Sequence, residues 1–173
     1  MQLWTVGHST HSSEAFVALL LAHGIVELAD VRTVPKSRRH PQFHLDVLSR
    51  TLPEAGIGYT HLPRLGGWRT PRPGSPNGAW RNASFRGYAD YASTDEFAAG
   101  LGQLCELAAS RRTAIMCSEA LWWRCHRRLI ADRLVVAGRT VCHISSSGSA
   151  ALHELPPFAA VAANGQIVYP PVA

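Results

Sequence analysis

The chain is almost devoid of lysine. Lys36 is the only one among 17 Lys and Arg residues, so arginine carries nearly all the positive charge. Long apolar runs are also missing. None approaches the roughly 20 residues that a membrane-spanning helix needs, so an integral helical membrane protein is not expected. The opening residues, MQLWTVGHST, contain neither a basic region nor a long apolar stretch, and no secretory signal is read there. Cysteine is sparse, with 4 in 173 residues. Without a secretory signal these are expected as reduced thiols of a cytoplasmic protein rather than as a disulfide framework. The glycine fingerprints of dinucleotide and nucleoside triphosphate sites are absent, as is any internal repeat. No C-x2-C spacing of the kind that builds structural zinc sites occurs either.

What remains is an ordinary globular composition, 46% hydrophobic and 17% charged, in a chain of one domain's size. The net charge is +5. The planar guanidinium suits bidentate contact with phosphate or carboxylate, so the arginine excess favours an anionic ligand. A coding bias toward arginine is the alternative explanation.

Apolar runs and helical stripes alternate along the chain. Residues 3–9 are a short apolar run closed by Gly7 and polar residues, and read as a buried strand. Ser12 or Ser13 can cap a helix in which Phe16, Leu19, Leu20 and His23 share a face, stopped by Gly24. Residues 25–32 form a second strand and 33–43 a loop punctuated by Pro35 and Pro41. Leu45, Leu48 and Leu52 mark a second helix, which Pro53 should kink or end early. Residues 58–65 read as a third strand. The Gly/Pro-rich stretch 66–80 has no periodicity, and a loop of that length is either functional or disordered. Phe85 to Tyr91 suggests a short helical turn. Ser93-Thr94-Asp95-Glu96 reads as a capping box opening a helix with Phe97, Leu101, Leu104 and Ala108 on one face. Residues 113–118 are a fourth strand, 125–136 a helix ended by Gly138, and 140–145 a fifth strand. The expected fold is α/β: a single domain over residues 1–150, with a mostly parallel five-stranded sheet and helices on both faces in a Rossmann-like or rhodanese-like three-layer arrangement. A C-terminal extension, 151–173, packs on it, with 166–169 as a short edge strand.

Ligands of open parallel sheets bind at the carboxyl ends of the strands. That rule selects Gly7-His8-Ser9 and residues 30–32, 64–67, 117–119 and 143–147. The densest polar group there is C-x-E-x5-C-H-R, from Cys117 to Arg127. Cys117 ends a strand, and Cys125, His126 and Arg127 begin a helix. The amides of a helix start attract anions and lower a thiol's pKa, and Arg127 and Arg128 add charge. The competing view makes Cys117 a small core residue and Cys125 a filler of the helix–sheet joint. A cysteine-phosphatase loop does not fit, because six residues including two tryptophans separate Cys117 from Arg124. A rhodanese-like sulfur carrier has the right element order and a shorter loop. A zinc site would combine Cys117, Cys125 and His126 with Cys142 or His143.

Asp30 and Arg32 point to one face of their strand. They form either a buried salt bridge or part of an anion clamp in which Arg32 and Arg38 both reach the ligand while Asp30 orients one of them. Gly66 and Gly67 allow close approach of backbone, and Arg69 with Tyr88 and neighbouring aromatics can hold phosphates or stack on bases; a core-facing aromatic turn is the alternative. His8 and His126 lie at element ends on the ligand edge. His11, His23, His40, His44, His61 and His153 share no ligand spacing and read as surface or core residues.

In order, the motifs V-G-H-S, A-D-V-R-x-x-P-x-S-R-x-x-P-x-F, Y-x-x-L-x-x-L-G-G, F-x-G-Y-A-D-Y, M-C-S-E-x5-C-H-R-x-L-I-A-D and H-I-S resemble domain-of-unknown-function family number 488, over residues 5–145. The resemblance implies this fold and this site location, and no reaction. It also implies a polar loop between the two cysteines, with a proline before the second. Ala120-Leu121-Trp122-Trp123-Arg124 departs from that, so the loop's ligand contacts are expected to differ.

The expectation drawn from these readings is an enzyme or binder of a phosphate-bearing ligand, either a small molecule such as a nucleotide or a nucleic acid. Cys117, Glu119 and His126 are the catalytic candidates, as nucleophile and general acid or base. His8, Ser9, Asp30, Arg32, Arg38, Gly66, Gly67, Arg69, Tyr88, Cys125 and Arg127 are the ligand-binding candidates. No cofactor or membrane partner is expected, with zinc as the departure from that. A non-catalytic nucleic-acid-binding module would instead use Arg38, Arg39, Arg69 and Arg72 with Trp68, Trp80 and Tyr88; a thiol- or metal-dependent protein is the third reading.

Overall fold

The computed structural model describes residues 1–171. Its elements run β1 (Gln2–Gly7), α1 (Ser13–Ala22), β2 (Glu27–Asp30), α2 (Leu45–Glu54), β3 (Gly58–His61), α3 (Ala83–Tyr91), α4 (Asp95–Ser110), β4 (Thr113–Cys117), α5 (Arg127–Val136) and β5 (Thr140–Ile144). β6 (Ala150–Leu152), β7 (Ala160–Val161) and β8 (Ile167–Val168) follow. The main sheet has the order β3-β2-β4-β1-β5-β6. Its first five strands are parallel and β6 pairs antiparallel with β5.

Alternation along the strands sends side chains to two separate cores. Trp4 and Val6 of β1 pack with Phe16 and Leu20 of α1 and Leu48 and Leu52 of α2. Leu3 of β1, Ile115 and Cys117 of β4 and Val141 of β5 face the other way, against Tyr88, Phe97, Leu104, Leu129 and Leu134 of α3, α4 and α5. The result is a three-layer α/β domain. β4 is buried along its whole length, as a central parallel strand covered on both faces must be.

Local signals act largely as expected. Ser12 caps α1 by accepting the Ala15 amide at 3.1 Å, and Gly24 leaves it in a left-handed turn with φ +64°. Several elements depart from the sequence reading. The sheet has a sixth strand: Ala150–Leu152 is exposed at every residue, so it carries no burial pattern, and the free edge of β5 organises it. β8 does not edge the main sheet but pairs with β7 in a separate two-stranded ribbon, which places Ile167 and Tyr169 in the α5-side core. The third strand stops at His61, because Pro63 starts a short 3-10 turn, Pro63–Leu65. α2 ends one residue after Pro53, close to where proline should end it. The N-cap of α4 is Thr94, which accepts the Phe97 amide at 3.2 Å; the expected pair of Ser93 with Glu96 is not formed. Part of the expected C-terminal extension, residues 172–173, lies outside the described residues.

The strand ends are tied together by the loop that follows β4. His8 and Ser9 donate their amides to the carbonyls of Cys117 (2.9 Å) and Ser118 (3.1 Å). That loop crosses directly over Gly7: a Cβ there would collide with the Glu119 carbonyl and lie 2.9 Å from the Ala120 Cα. Gly7→Ala is therefore expected to lower stability by about 1–3 kcal/mol through overpacking against backbone that cannot yield. Gly102→Ala, in the exposed interior of α4 with open space around the added methyl, should raise it by about 0.5–1 kcal/mol. Urea denaturation of the two variants reads both signs.

Candidate functional site

The carboxyl ends of β1, β4 and β2 lie side by side, with Gly7 opposite Cys117 and Met116 opposite Asp30. A cavity of about 420 Å³ opens above them. Of the candidates read from the sequence, His8, Arg32, Gly67, Tyr88, Cys117, Glu119, Cys125 and His126 line it. Lys36, Phe85 and Arg124 join the wall without having been selected as ligand residues, and Trp68 stands at the wall 80% exposed.

Beneath this wall sits Arg127, with no exposed surface at all. Its Nε donates to Cys117 Sγ at 3.1 Å, Nη1 to Thr5 Oγ1 at 3.3 Å, and Nη2 closely to the Glu119 carbonyl. No Asp or Glu pairs with it among the described residues. A buried guanidinium without a counter-ion is strongly unfavourable, and arginine does not escape by losing its proton. The compensating charge is at hand in the two thiols. Cys117 Sγ and Cys125 Sγ lie 2.6 Å apart, and Cys125 Sγ also meets the Arg127 amide at 3.5 Å and His126 Nδ1 at 3.6 Å. Burial alone pushes the Cys125 thiol up. The hydrogen bond from Cys117, His126 and the Arg127 charge outweigh burial, and Cys125 lies well below the usual thiol range. Burial and the proton it shares with Cys125 hold Cys117 up. Cys125 is thereby the more acidic thiol of the pair, and it sits at the amino end of α5, where the helix dipole favours negative charge.

A second buried pair supports the opposite wall. Asp30 accepts from Arg32 at Nε (2.9 and 3.1 Å), Nη2 (2.5 Å) and the backbone amide (3.1 Å), and from the Tyr59 hydroxyl (2.7 Å). Arg32 also donates to the Phe43 carbonyl (2.8 Å) and meets His8 Nε2 (3.3 Å). Asp30 is thus a buried orienter behind the wall, not a ligand contact, and Arg32 alone of the two reaches the cavity. His8 stacks on Phe43 at 4.2 Å, and its Nδ1 faces the Ser9 carbonyl at 2.9 Å. Burial lowers His8 to about 4, so it is neutral and presents Nε2 as an acceptor to Arg32.

The remaining candidates fall into place as follows. The Tyr88 hydroxyl is committed to the Leu65 carbonyl at 2.7 Å, so only its ring faces the cavity. A Cβ on Gly66 would sit 2.6 Å from Thr33 Oγ1, so this glycine serves loop packing; Gly67 reaches the wall beside His126. The His126 imidazole is fixed by Nε2 against the Val31 carbonyl at 3.0 Å. Glu119 lies at the exposed rim and accepts the Leu121 amide at 3.2 Å. The structure does not bring Arg38, Arg69, Arg127, Ser9, Asp30 or Gly66 to the wall. Arg38 is exposed on its loop. Arg69 stacks 3.5 Å over the Tyr91 ring, which makes it a fold contact rather than a phosphate clamp. Ser9 serves a tight turn with φ +46°. Arg127 works from below, through the thiols.

No group of three or more His, Cys, Asp or Glu side chains among the described residues is arranged to hold a metal ion. His143, considered for such a set, is instead engaged by Thr5 Oγ1 (2.7 Å) and His153 (2.9 Å). His153, read as a filler, is buried in a polar network with Asp132 and Tyr169. The sequence signal for it is slight: the aspartate of the C-H-R-x-L-I-A-D motif is the one acidic residue on the buried face of α5.

A three-layer α/β fold with a buried thiol pair at the carboxyl ends of its central strands is thus the class that the structure defines. The chain belongs to the family described as domain of unknown function DUF488, whose model matches residues 12–134. The match is narrower than the motifs suggest, and leaves His8 of the first motif and His143 of the last outside it. No curated protein and no solved structure matches the chain.

Two outcomes follow from these charges. His8 and His143 are held neutral in the fold, at about 4 and about 3, by burial first of all. The unfolded chain takes up protons on both from near pH 6.5, so acid favours unfolding over that window. Stability should fall as pH drops from about 6.5 toward 4, with a shallower fall in His8→Asn; urea midpoints across this range test it. Arg127→Met should raise the pH at which Cys125 becomes reactive, read from the pH dependence of iodoacetamide labelling mapped by mass spectrometry.

Proposed function

We propose that the cavity is the active site of a thiolate-dependent enzyme acting on a small phosphate-bearing molecule with a flat ring, the chemistry of a nucleotide. The observation that carries this reading is the buried Arg127 cation, whose guanidinium donates to Cys117 Sγ, itself hydrogen-bonded to Cys125 Sγ, with no carboxylate paired to it among the described residues. A core has no structural need for such an arrangement; a nucleophile does.

Each wall then has a task. Lys36 and Arg124 are exposed cations at the rim, and neither is in an ion pair among the described residues, so they are free to hold phosphate. Trp68, Phe85 and Tyr88 offer ring faces on which a base stacks. Trp68 holds φ +59°, a conformation unfavourable for a bulky residue and of the kind that clusters at functional sites. The Cys125 sulfur supplies the electron pair that forms a bond to the ligand's electrophilic carbon or phosphorus as the bond to the leaving group breaks. The leaving group takes the Cys117 proton, and the Cys117 sulfur then becomes the counter-ion of Arg127. Glu119 at the rim is the group placed to activate water for release of the adduct, and no metal or organic cofactor is invoked.

Protection of Cys125 from iodoacetamide tests the reading. A nucleoside monophosphate should slow labelling more than either the nucleoside or inorganic phosphate, and Lys36→Ala or Arg124→Ala should weaken that protection about tenfold. Absence of protection by any of the three would remove the nucleotide site. The exposed Trp68 beside Lys36, Arg38 and Arg39 favours one second reading, a single-stranded nucleic-acid-binding module. It is selected instead if an oligonucleotide binds with steep salt dependence, Cys125→Ser leaves that binding intact, and mononucleotides fail to bind.

A further inference from the structure

Behind Arg127 a line of buried polar side chains runs across the domain. Thr5 Oγ1 meets His143 Nδ1 at 2.7 Å, His143 Nε2 meets His153 Nδ1 at 2.9 Å, and His153 Nε2 meets Asp132 Oδ1 at 2.7 Å. The Tyr169 hydroxyl donates to Asp132 Oδ2 at 2.6 Å. All these residues are buried: Thr5 and Asp132 completely, His143, His153 and Tyr169 nearly so. They come from β1, β5, the segment after β6, α5 and the residue after β8, so the chain assembles only in the folded domain.

The direction of every hydrogen in this line follows from its first member. Arginine only donates, so Thr5 Oγ1 accepts from Arg127 Nη1. The single Thr5 hydrogen then goes to His143 Nδ1, which places the His143 proton on Nε2. His143 donates to His153 Nδ1, and His153 donates from Nε2 to Asp132. The opposite arrangement leaves the Thr5 hydroxyl hydrogen without an acceptor in a dry interior, which is costly. The line therefore runs one way, from a buried cation through neutral groups to a buried carboxylate, and hydrogen bonds aligned in this way polarise one another. It cannot deliver a proton to the thiols, because arginine at its end does not release one. It can only hold and orient.

The same line grips the cavity loop. Trp122 lies flat on His143, with centroids 3.9 Å apart and planes 4° from parallel, and meets His153 edge-on at 5.5 Å. Trp122 opens the short 3-10 turn Trp122–Arg124, directly before Cys125.

We propose that Thr5, His143, His153 and Asp132 are positioning residues that fix the Arg127 guanidinium against the cysteine pair and so set the reactivity of Cys125 from outside the cavity. This rests on the thiolate reading of Cys125. It departs from the phosphate-ligand reading, because it concerns a property of the free protein.

The test compares Thr5→Val, which keeps shape and removes the hydroxyl, with Thr5→Ser, which keeps the hydroxyl. The readouts are the pH midpoint of iodoacetamide labelling at Cys125, mapped by mass spectrometry, and the thermal unfolding of each variant. Thr5→Val should raise the midpoint by about one pH unit, a roughly fivefold slower labelling at the wild-type midpoint, and Thr5→Ser should restore it. His143→Gln, which keeps a donor toward His153 and loses the acceptor for Thr5, should shift it the same way and serves if Thr5→Val does not fold. A depressed wild-type midpoint that folded Thr5→Val and His143→Gln leave in place overturns the positioning role, even if both variants melt earlier. An ordinary wild-type midpoint overturns the thiolate and the positioning role together, while the ligand-protection experiment stands or falls separately.

Discussion

The Arg127 guanidinium is the constraint around which the ligand edge is organised. Several kcal/mol of desolvation must be offset when such a group is carried into a dry interior, and it is offset here by polar partners from separate parts of the chain. Its three nitrogens reach the β4 cysteine, the β1 threonine and the Glu119 carbonyl, while its own amide opens α5 against Cys125. One side chain therefore fixes the position of a helix start relative to two strand ends. The loop it grips is the loop that Gly7 must make room for, so the glycine after β1 and the arginine of α5 answer the same geometric demand.

The two faces of the sheet divide the labour. The α1 and α2 side is almost entirely apolar, with Trp4, Phe16, Leu20 and Leu52 in its core, and supplies stability. The α5 side admits the polar line and the thiols, and the hydrogen bonds from Thr5 through His143 and His153 to Asp132 keep the line in one orientation. The Asp30–Arg32 pair holds a buried guanidinium in a single pose at the end of β2, as Cys117, Thr5 and the Glu119 carbonyl hold Arg127. Between them stands His8, whose neutral ring closes the gap between the two walls without adding charge.

Much of this was legible from residues in order. The buried runs of β1 and β4, the Gly24 stop and the strand-edge rule placed Cys117, His8 and Arg32 at one cleft before any coordinates. The strand Ala150–Leu152 was not legible, because an exposed edge strand is organised by its neighbour and carries no alternation of its own. Arg69 and Arg127 follow or precede residues of the cavity wall in sequence, yet neither side chain lines the cavity. A long side chain can point either way, and stacking on Tyr91 or pairing with a sulfur is decided by tertiary packing. His153 and Tyr169 were invisible for a related reason: their partner, Asp132, lies 21 and 37 positions away.

A thiolate used as a counter-ion differs from a carboxylate in one respect: it can be oxidised. Joining Cys117 and Cys125 in a disulfide would erase the negative charge that Arg127 requires, while the cation would stay buried. On the proposed thiolate reading, the dithiol form is favoured over the disulfide by the same electrostatics. Read this way, the oxidation state of these two sulfurs and the stability of the domain form a single linked equilibrium, with the buried guanidinium as the coupling.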